Sequence, residues 1–226
     1  DENVAFLGLG SIGLTTLRLL LEVAPHPRTL ILCDLFSKVH QLQTTITALV
    51  KQVGFQGNLQ IVPVHQAVPA ALYGASLIVG ATNVPDVLEV GRLQPGTLLV
   101  DDSGPPCFNL PAAMARLQQQ GDLLFTEGGA VQLRAPIQQV VHTPPALETL
   151  FTTGDVSNPR LIMGCVLSSL LSAGAMALPP TIGAIEPAVA HLYYQAVTDL
   201  GIQAAPLHCG DYHLPTTAIQ RFRQSA

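Results

Sequence analysis

The chain has 226 residues, of which 48 % are hydrophobic and 11 % charged, with a net charge of −5. That length suffices for one sizeable core, and so apolar a composition leaves surface suited to a partner or to further chain. Lys38 and Lys51 are the only lysines, so the basic stripe that nucleic acid or an anionic membrane surface requires is missing.

Short apolar runs alternate with helical patterns along the first part of the chain. Residues 4–7 are an apolar run ending in glycine, and residues 11–21 read as a helix. A second run at 29–33 precedes a helix over about 37–53. A third run at 59–64 precedes a short helix near 68–73. Further runs lie at 76–79, 97–100 and 123–125, the last two separated by a helix over 111–120. Strands that alternate with helices predict parallel strands joined by right-handed crossovers. Their two-sided apolar character predicts a sheet covered on both faces.

The pattern changes near residue 135. Pro136, Pro144, Pro145 and Pro159 punctuate an irregular stretch, and two helices are predicted over about 160–178 and 185–200. Pro179–Pro180 breaks between them, and Gly201 suits the C-terminal cap of the second. The 18 uncharged residues 161–178 reach the length of a membrane span. Their glycines, serines and alanines instead predict a buried core helix, so no membrane span is expected. Residues 208–226 read as a polar, partly disordered tail. The predicted organisation is a Rossmann core over 1–135, an irregular segment and two helices over 136–207 completing the same domain, and the tail 208–226. The fold class is α/β: a Rossmann-type doubly wound parallel sheet with C-terminal helices packed on it.

Cys33, Cys107, Cys165 and Cys209 form no CxxC pair, which argues against a zinc ribbon and for free thiols in a reducing cytoplasm. No signal- or transit-peptide pattern opens the sequence. A first residue other than Met reads as a piece of a longer polypeptide.

The most informative segment is VAFLGLGSIGL at residues 4–14. It is G-x-G-x-x-G between a predicted strand and a predicted helix, the context that gives the motif meaning. Gly8 permits the tight turn, Gly10 lets a pyrophosphate approach the backbone, and Gly13 lets the helix pack against the strand. The start of the helix, Ser11 and Ile12, then offers free N–H groups and a positive dipole end to phosphate. Asp34 ends the second strand. A carboxylate there accepts ribose hydroxyls and repels a 2′-phosphate, which favours NAD(H); its simpler role is a helix N-cap. Lys38, one turn into the next helix, keeps NADP(H) open. The nicotinamide is expected beyond the later strand tips, at Ala81, Thr82, Asn83, Ser103, Gly128 and Gly129, where small residues leave room for a flat ring, although such glycines also make plain turns.

Three segments, GATNVPDVLEVGRLQPGTLLVDDSGPPCFNL, LLFTEGGAVQL and LIMGCVLSSLL, followed by TIGAIEPAVAHLYYQAVTDLGIQAAPL, resemble the cyanobacterial long-chain acyl-(acyl carrier protein) reductases. The resemblance runs from about Val4 to Leu207. It implies reduction of an acyl thioester, carried by acyl carrier protein or coenzyme A, to an aldehyde with a nicotinamide cofactor. It places the family's glycine loop on Gly8–Gly13 and its nucleophilic cysteine on Cys165. The chain departs from the family in three ways. Nothing precedes its first strand, Asp34 stands where the family carries a basic residue, and Ala130–Val131 follow the double glycine where the family has histidine.

Read alone, Cys165 is an apolar-helix cysteine of the kind that packs inertly. The resemblance implies instead that its thiolate attacks the acyl carbonyl and the carrier's thiol leaves, giving a cysteine-bound acyl group that hydride reduces. Backbone N–H groups near Ser103–Gly104 or Gly128–Gly129 are candidate oxyanion donors. Of the seven histidines, His142 is the one in the irregular segment, and is the weak candidate for a general base. His208, Cys209, Asp211 and His213 carry metal-ligand chemistry, but a polar tail with chance ligand types is the simpler reading. Two rival functions stay open. One is an oxidoreductase resembling shikimate dehydrogenases or glutamyl-tRNA reductases, although the Lys/Asp pair of the first and the basic surface of the second are missing. The other is a non-catalytic nicotinamide-binding module.

Overall fold

The computed structural model describes residues 2–65, 67–138, 144–147, 158–174, 178–183 and 185–222. They fall into two compact units. The first comprises residues 1–128, 182–191 and 207–226, and the second residues 129–181 and 192–206.

The first unit is built on six parallel strands: β1 (Asn3–Leu7), β2 (Thr29–Leu35), β3 (Asn58–Val64), β4 (Leu77–Gly80), β5 (Thr97–Asp101) and β6 (Leu123–Glu127). Their order across the sheet is β3-β2-β1-β4-β5-β6. The chain winds outward from β1 to β3, returns to the centre at β4, and winds outward the other way. Such a reversal leaves a crevice at the carboxyl ends of β1 and β4, where the connections part to opposite faces. This is the Rossmann-type doubly wound architecture.

Alternation along each strand sends successive side chains to opposite faces, and both faces are buried. Val4, Phe6, Leu30 and Leu32 join one core with Leu17 and Leu21 of α1 (Ser11–Val23) and Ile46 and Leu49 of α2 (Phe36–Gln52). Ala5, Leu7, Ile31 and Cys33 join the other with Ala113 and Leu117 of α3 (Leu110–Gln119). Asn109 starts α3 by accepting the Ala112 N–H through its side chain, and a proline follows in the first turn, both standard helix-start devices. The end of α3 is held by Arg116, whose guanidinium grips Asp122 through two 2.9 Å hydrogen bonds and donates a third to the Val90 carbonyl.

Residues 207–222 differ from the predicted polar tail. They form a hairpin of β10 (His208–Cys209) and β11 (Tyr212–His213) and a helix, Thr216–Arg221. Cys209 and Leu214 are buried in the same core as α3. Thr126 Oγ1 both accepts from the His208 N–H and donates to its carbonyl. The apolar residues Leu207, Tyr212, Leu214 and Phe222, spaced among polar ones, supply the anchoring that overall polarity concealed.

The second unit holds a three-stranded antiparallel sheet in the order β8-β7-β9, with β7 (Ala130–Gln132) central between β8 (Leu161–Met163) and β9 (Gln203–Ala204). Segments predicted to complete the first domain thus belong to a unit with its own small core, where Ile162, Leu167 and Leu171 pack with Val131, Tyr193 and Val197. The expected long buried helix over 160–178 is also shorter. Residues 161–163 are drawn into β8, and helix α4 runs Gly164–Ala173. Leu167 and Leu171 face inward while Val166 and Leu170 are about half exposed, at 49 % and 52 %, so the helix is one-sided. Helix α5 (Pro187–Asp199) begins in the first unit and continues into the second. Among the described residues no helix is long and apolar enough to cross a membrane.

Candidate functional site

A cleft of about 440 Å³ opens at the carboxyl ends of the first unit's strands. Its floor is the loop between β1 and α1. Gly8 has φ +94°, and a Cβ there would run into the Ala81 carbonyl oxygen, so this turn accepts only glycine. Gly13 lies behind the loop, where an added Cβ would meet the Gly8 carbonyl oxygen. Gly10 is different: among the described residues nothing lies within 4 Å of its missing Cβ, and the residue lines the cleft. Packing against the described residues therefore does not require glycine at that position, and the space left beside its backbone belongs to the cleft.

Gly10 is also the N-cap of α1. No side chain caps the helix, and no acidic residue stands in its first turn. The first N–H groups and the positive end of the dipole are thus left for an anion at the cleft floor. Ser11 and Ile12 line the same cleft, and the Ser11 hydroxyl donates to the Gly183 carbonyl at 3.2 Å.

Asp34 is 7 % exposed. Its Oδ2 accepts the Leu9 N–H at 2.7 Å and its Oδ1 the Leu35 N–H at 2.6 Å. It does not cap α2 with its side chain; Leu35 is the N-cap and lacks a side-chain bond. The carboxylate ties the glycine loop to the end of β2 and faces the cleft beside Leu35 and Lys38. Each oxygen keeps acceptor capacity for a ribose hydroxyl.

The opposite side of the cleft carries Ala81, Thr82, Asn83, Asp102 and Gly104. Ser103 supports this wall from behind: its Oγ accepts the Thr82 N–H at 3.0 Å, and its own N–H donates to Asp101. Gly128 also supports rather than lines, since a Cβ there would stand 3.0 Å from the Asp102 Cβ. The structure therefore gathers Gly8, Gly10, Ser11, Ile12, Asp34, Ala81, Thr82 and Asn83 around one cleft. Gly13, Ser103 and Gly128 stand in its supporting layer, and Gly129 belongs to the second unit.

Asp102 is the chief omission from the predicted site. Its carboxyl is raised above the usual range, first by burial and then by the charges of Asp101 and Glu127. The acid-rich strand tip Asp101–Asp102 was visible in the sequence, but only the strand register decides which carboxylate points to the cleft. Asp101 is turned inward, 3 % exposed, and accepts the Ser103 and Cys107 N–H groups.

Cys165 stands in the first turn of α4 and is exposed, whereas Cys33, Cys107 and Cys209 are buried. Burial, reinforced by Asp34, pushes the Cys33 thiol up to about 12; burial with Glu127 and Asp101 pushes Cys209 up to about 11. Cys107 is raised as well, by burial and Asp101. Within the second unit the Gly164 N–H donates to the Gly129 carbonyl at 2.6 Å, and a Cβ on Gly164 would stand 2.9 Å from that oxygen. This bond sets the end of the double-glycine turn against the start of the cysteine helix.

His142 lies outside the described residues. The tail residues do not form the shared face that a single strand would give Cys209, Asp211 and His213, because Gly210, with φ +54°, and Asp211 turn the hairpin. Instead His208 pairs across it with His213, their rings stacked at 5.8 Å. No group of three metal-ligating side chains occurs among the described residues.

No protein-family model matches the chain, and no curated protein matches its sequence. Solved structures that are distantly similar include two enzymes. The D-lactate dehydrogenase of Salmonella is 14 % identical with a TM-score of 0.41; the match covers 89 % of this chain and 54 % of that one, so the chain spans about half the dehydrogenase's length. The tRNA N6-threonylcarbamoyladenosine dehydratase of E. coli is 13 % identical with a TM-score of 0.34, the match covering 88 % and 84 % of the two chains.

Proposed function

We propose that this protein is a nicotinamide-dinucleotide-dependent oxidoreductase that reduces an acyl thioester to an aldehyde. One observation carries the dinucleotide part of the reading. Gly10 lines a cleft at the floor of which an uncapped helix begins, and no atom of the described residues uses the space its missing side chain leaves. Backbone donors aimed at a space free of side chains suit a pyrophosphate. Gly8, Gly10, Ser11 and Ile12 would hold it, Asp34 would receive the adenosine ribose, and Ala81, Thr82 and Asn83 would flank the nicotinamide. The carboxylate at Asp34 favours NAD(H), while Lys38 in the same cleft leaves NADP(H) as the alternative.

The thioester part rests on the resemblance to acyl-(acyl carrier protein) reductases and on the exposure of Cys165. In this reading the Cys165 thiolate bonds to the carbonyl carbon of an acyl carrier protein or acyl-coenzyme A thioester. The carrier's carbon–sulfur bond breaks, its departing thiolate takes up a proton, and the acyl group is left as a thioester on Cys165. A reduced nicotinamide supplies hydride, which takes an acyl group to the aldehyde level.

Intact-protein mass spectrometry after incubation with a medium-chain acyl thioester, without dinucleotide, tests the reading. The expected result is a gain of one acyl group that Cys165→Ala abolishes and that NADH or NADPH discharges as aldehyde. Dinucleotide binding with no adduct across a panel of thioesters would leave a non-catalytic module or direct hydride transfer.

A further inference from the structure

We propose that Asp102 makes the cleft a discriminator between the oxidised and reduced dinucleotide: the cationic nicotinamide ring favours the charged carboxylate beside it, and the uncharged reduced ring does not. The inference rests on the dinucleotide reading above and deepens it.

The geometry starts from the sheet. A dinucleotide in this fold lies across the carboxyl ends of the strands, with its adenosine half over β2 and β3 and its nicotinamide half over β4 and β5. Asp34, Lys38 and Val64 belong to the first side of the cleft; Thr82, Asn83, Asp102 and Gly104 belong to the second. Asp102 is the only ionisable residue among those described on the nicotinamide side. Its backbone is fixed, since its N–H donates to the Gly80 carbonyl at 2.8 Å and its Cβ lies against Gly128.

The surroundings set Asp102 apart from the neighbouring carboxyls. Asp101 and Glu127 are register partners on β5 and β6. Asp101 accepts two backbone N–H groups, and Glu127 accepts the Gly210 N–H at 3.0 Å. No hydrogen bond among the described residues reaches the Asp102 carboxyl. It meets two like charges and partial burial without a compensating donor, and these disfavour its ionisation. Those two carboxylates are the charged groups that face it; the cleft's other ionisable residues, Asp34 and Lys38, stand on the adenosine side.

The two redox states of nicotinamide differ by one positive charge on the ring. A cation brought beside Asp102 offsets the repulsion from Asp101 and Glu127 and favours loss of its proton. Binding of the oxidised form is therefore coupled to proton release, and binding of the reduced form is not.

Titration calorimetry of the full chain with NAD⁺ and NADH between pH 5 and 8, in buffers of different ionisation enthalpy, tests this. The expected Kd for NAD⁺ tightens about tenfold as pH rises, with a proton released below the midpoint of the change; the attraction of two charges across a half-buried cleft is of that order. The Kd for NADH is expected to move less than about threefold, and Asp102→Asn to flatten the NAD⁺ profile. A flat profile in the wild type, or the same slope in Asp102→Asn, overturns the inference while leaving the dinucleotide reading intact. No binding of either form at any pH overturns both. A wild-type ¹³C carboxyl titration supplies a readout independent of the variant's folding: the Asp102 midpoint must fall when NAD⁺ is bound, and an unchanged midpoint overturns the inference.

Discussion

Asp34 Oδ2 accepts the Leu9 N–H at 2.7 Å, so the acid at the end of β2 also holds the glycine loop in shape. Asp34→Ala removes this bond and the one from Leu35, both made to a buried carboxylate. Hydrogen bonds to charged groups contribute roughly 1.5–3 kcal/mol each, and the variant leaves two amides to find water. A loss of about 3 kcal/mol in chemical denaturation is expected, together with weaker NADH binding by fluorescence titration. A variant of wild-type stability that lost only binding would show that Asp34 serves the ligand and not the loop.

The three glycines of the loop separate fold from function. Gly8→Ala meets the Ala81 carbonyl and requires a backbone conformation that alanine resists; Gly13→Ala meets the Gly8 carbonyl. Each should lose about 2–4 kcal/mol, combining overpacking with, at Gly8, left-handed strain. Gly10→Ala meets nothing, so its stability should stay within about 1 kcal/mol of the wild type, the cost of a poorer N-cap. Its dinucleotide affinity should nevertheless fall at least tenfold. Retained affinity in a folded Gly10→Ala protein would mean that the cleft floor does not receive a pyrophosphate.

The sequence made the strand–helix alternation of residues 4–127 legible because the strands are short apolar runs, and all but β3 have glycine or an acid at the tip. The cleft's glycine floor was legible for the same reason: the motif fixes both a turn and a helix start. The wall was legible at Ala81, Thr82 and Asn83 but not beyond β5, because Asp102 and Ser103 are adjacent in sequence yet one lines the cleft and the other supports it. That division follows from how the chain leaves β5, which periodicity does not encode. The second unit was missed because its strands have three, three and two residues, too short to carry a period-two signal. The hairpin at 208–213 was missed likewise, since its anchoring residues are few and lie among polar ones.

The four cysteines should divide three to one toward iodoacetamide. Cys33, Cys107 and Cys209 are buried and held as neutral thiols at pH 7.5 by the raised values their surroundings impose. The thiolate is the reactive form. One equivalent of label is expected within minutes, located by peptide mapping on Cys165, and the other three only after unfolding. Rapid labelling at more than one site in the native protein would contradict the burial on which this rests.

Asp102 has a consequence for stability as well as for binding. Its carboxyl is raised in the folded state above its unfolded value, so at low pH, where both states are protonated, it imposes no penalty. As pH rises past the unfolded value, the unfolded chain loses its proton first, and the folded state is progressively disfavoured until the folded value is passed. Asp102→Asn removes that penalty. The variant should be more stable than the wild type at pH 7 and equal to it at pH 3, as read from melting temperatures across that range. A variant equally or less stable at pH 7 would show that the Asp102 charge is well accommodated.

The pairing of Arg116 with Asp122 is the test of how the sheet's outer edge is held. The pair is mostly buried, at 9 % and 15 % side-chain exposure, and bidentate, and Arg116 also donates to the Val90 carbonyl at 2.6 Å. Removing one partner of a buried ion pair typically costs about 3–5 kcal/mol, because the other charge is left without compensation. Arg116→Ala is therefore expected to lose close to that amount. Asp122→Asn, which keeps an acceptor for the guanidinium, should lose less. Arg116→Lys should behave more like the alanine variant, since a point charge cannot reproduce the two-pronged geometry or reach Val90 at the same time. Equal stability of the lysine variant and the wild type would show that charge alone, and not the fork, secures the turn between α3 and β6.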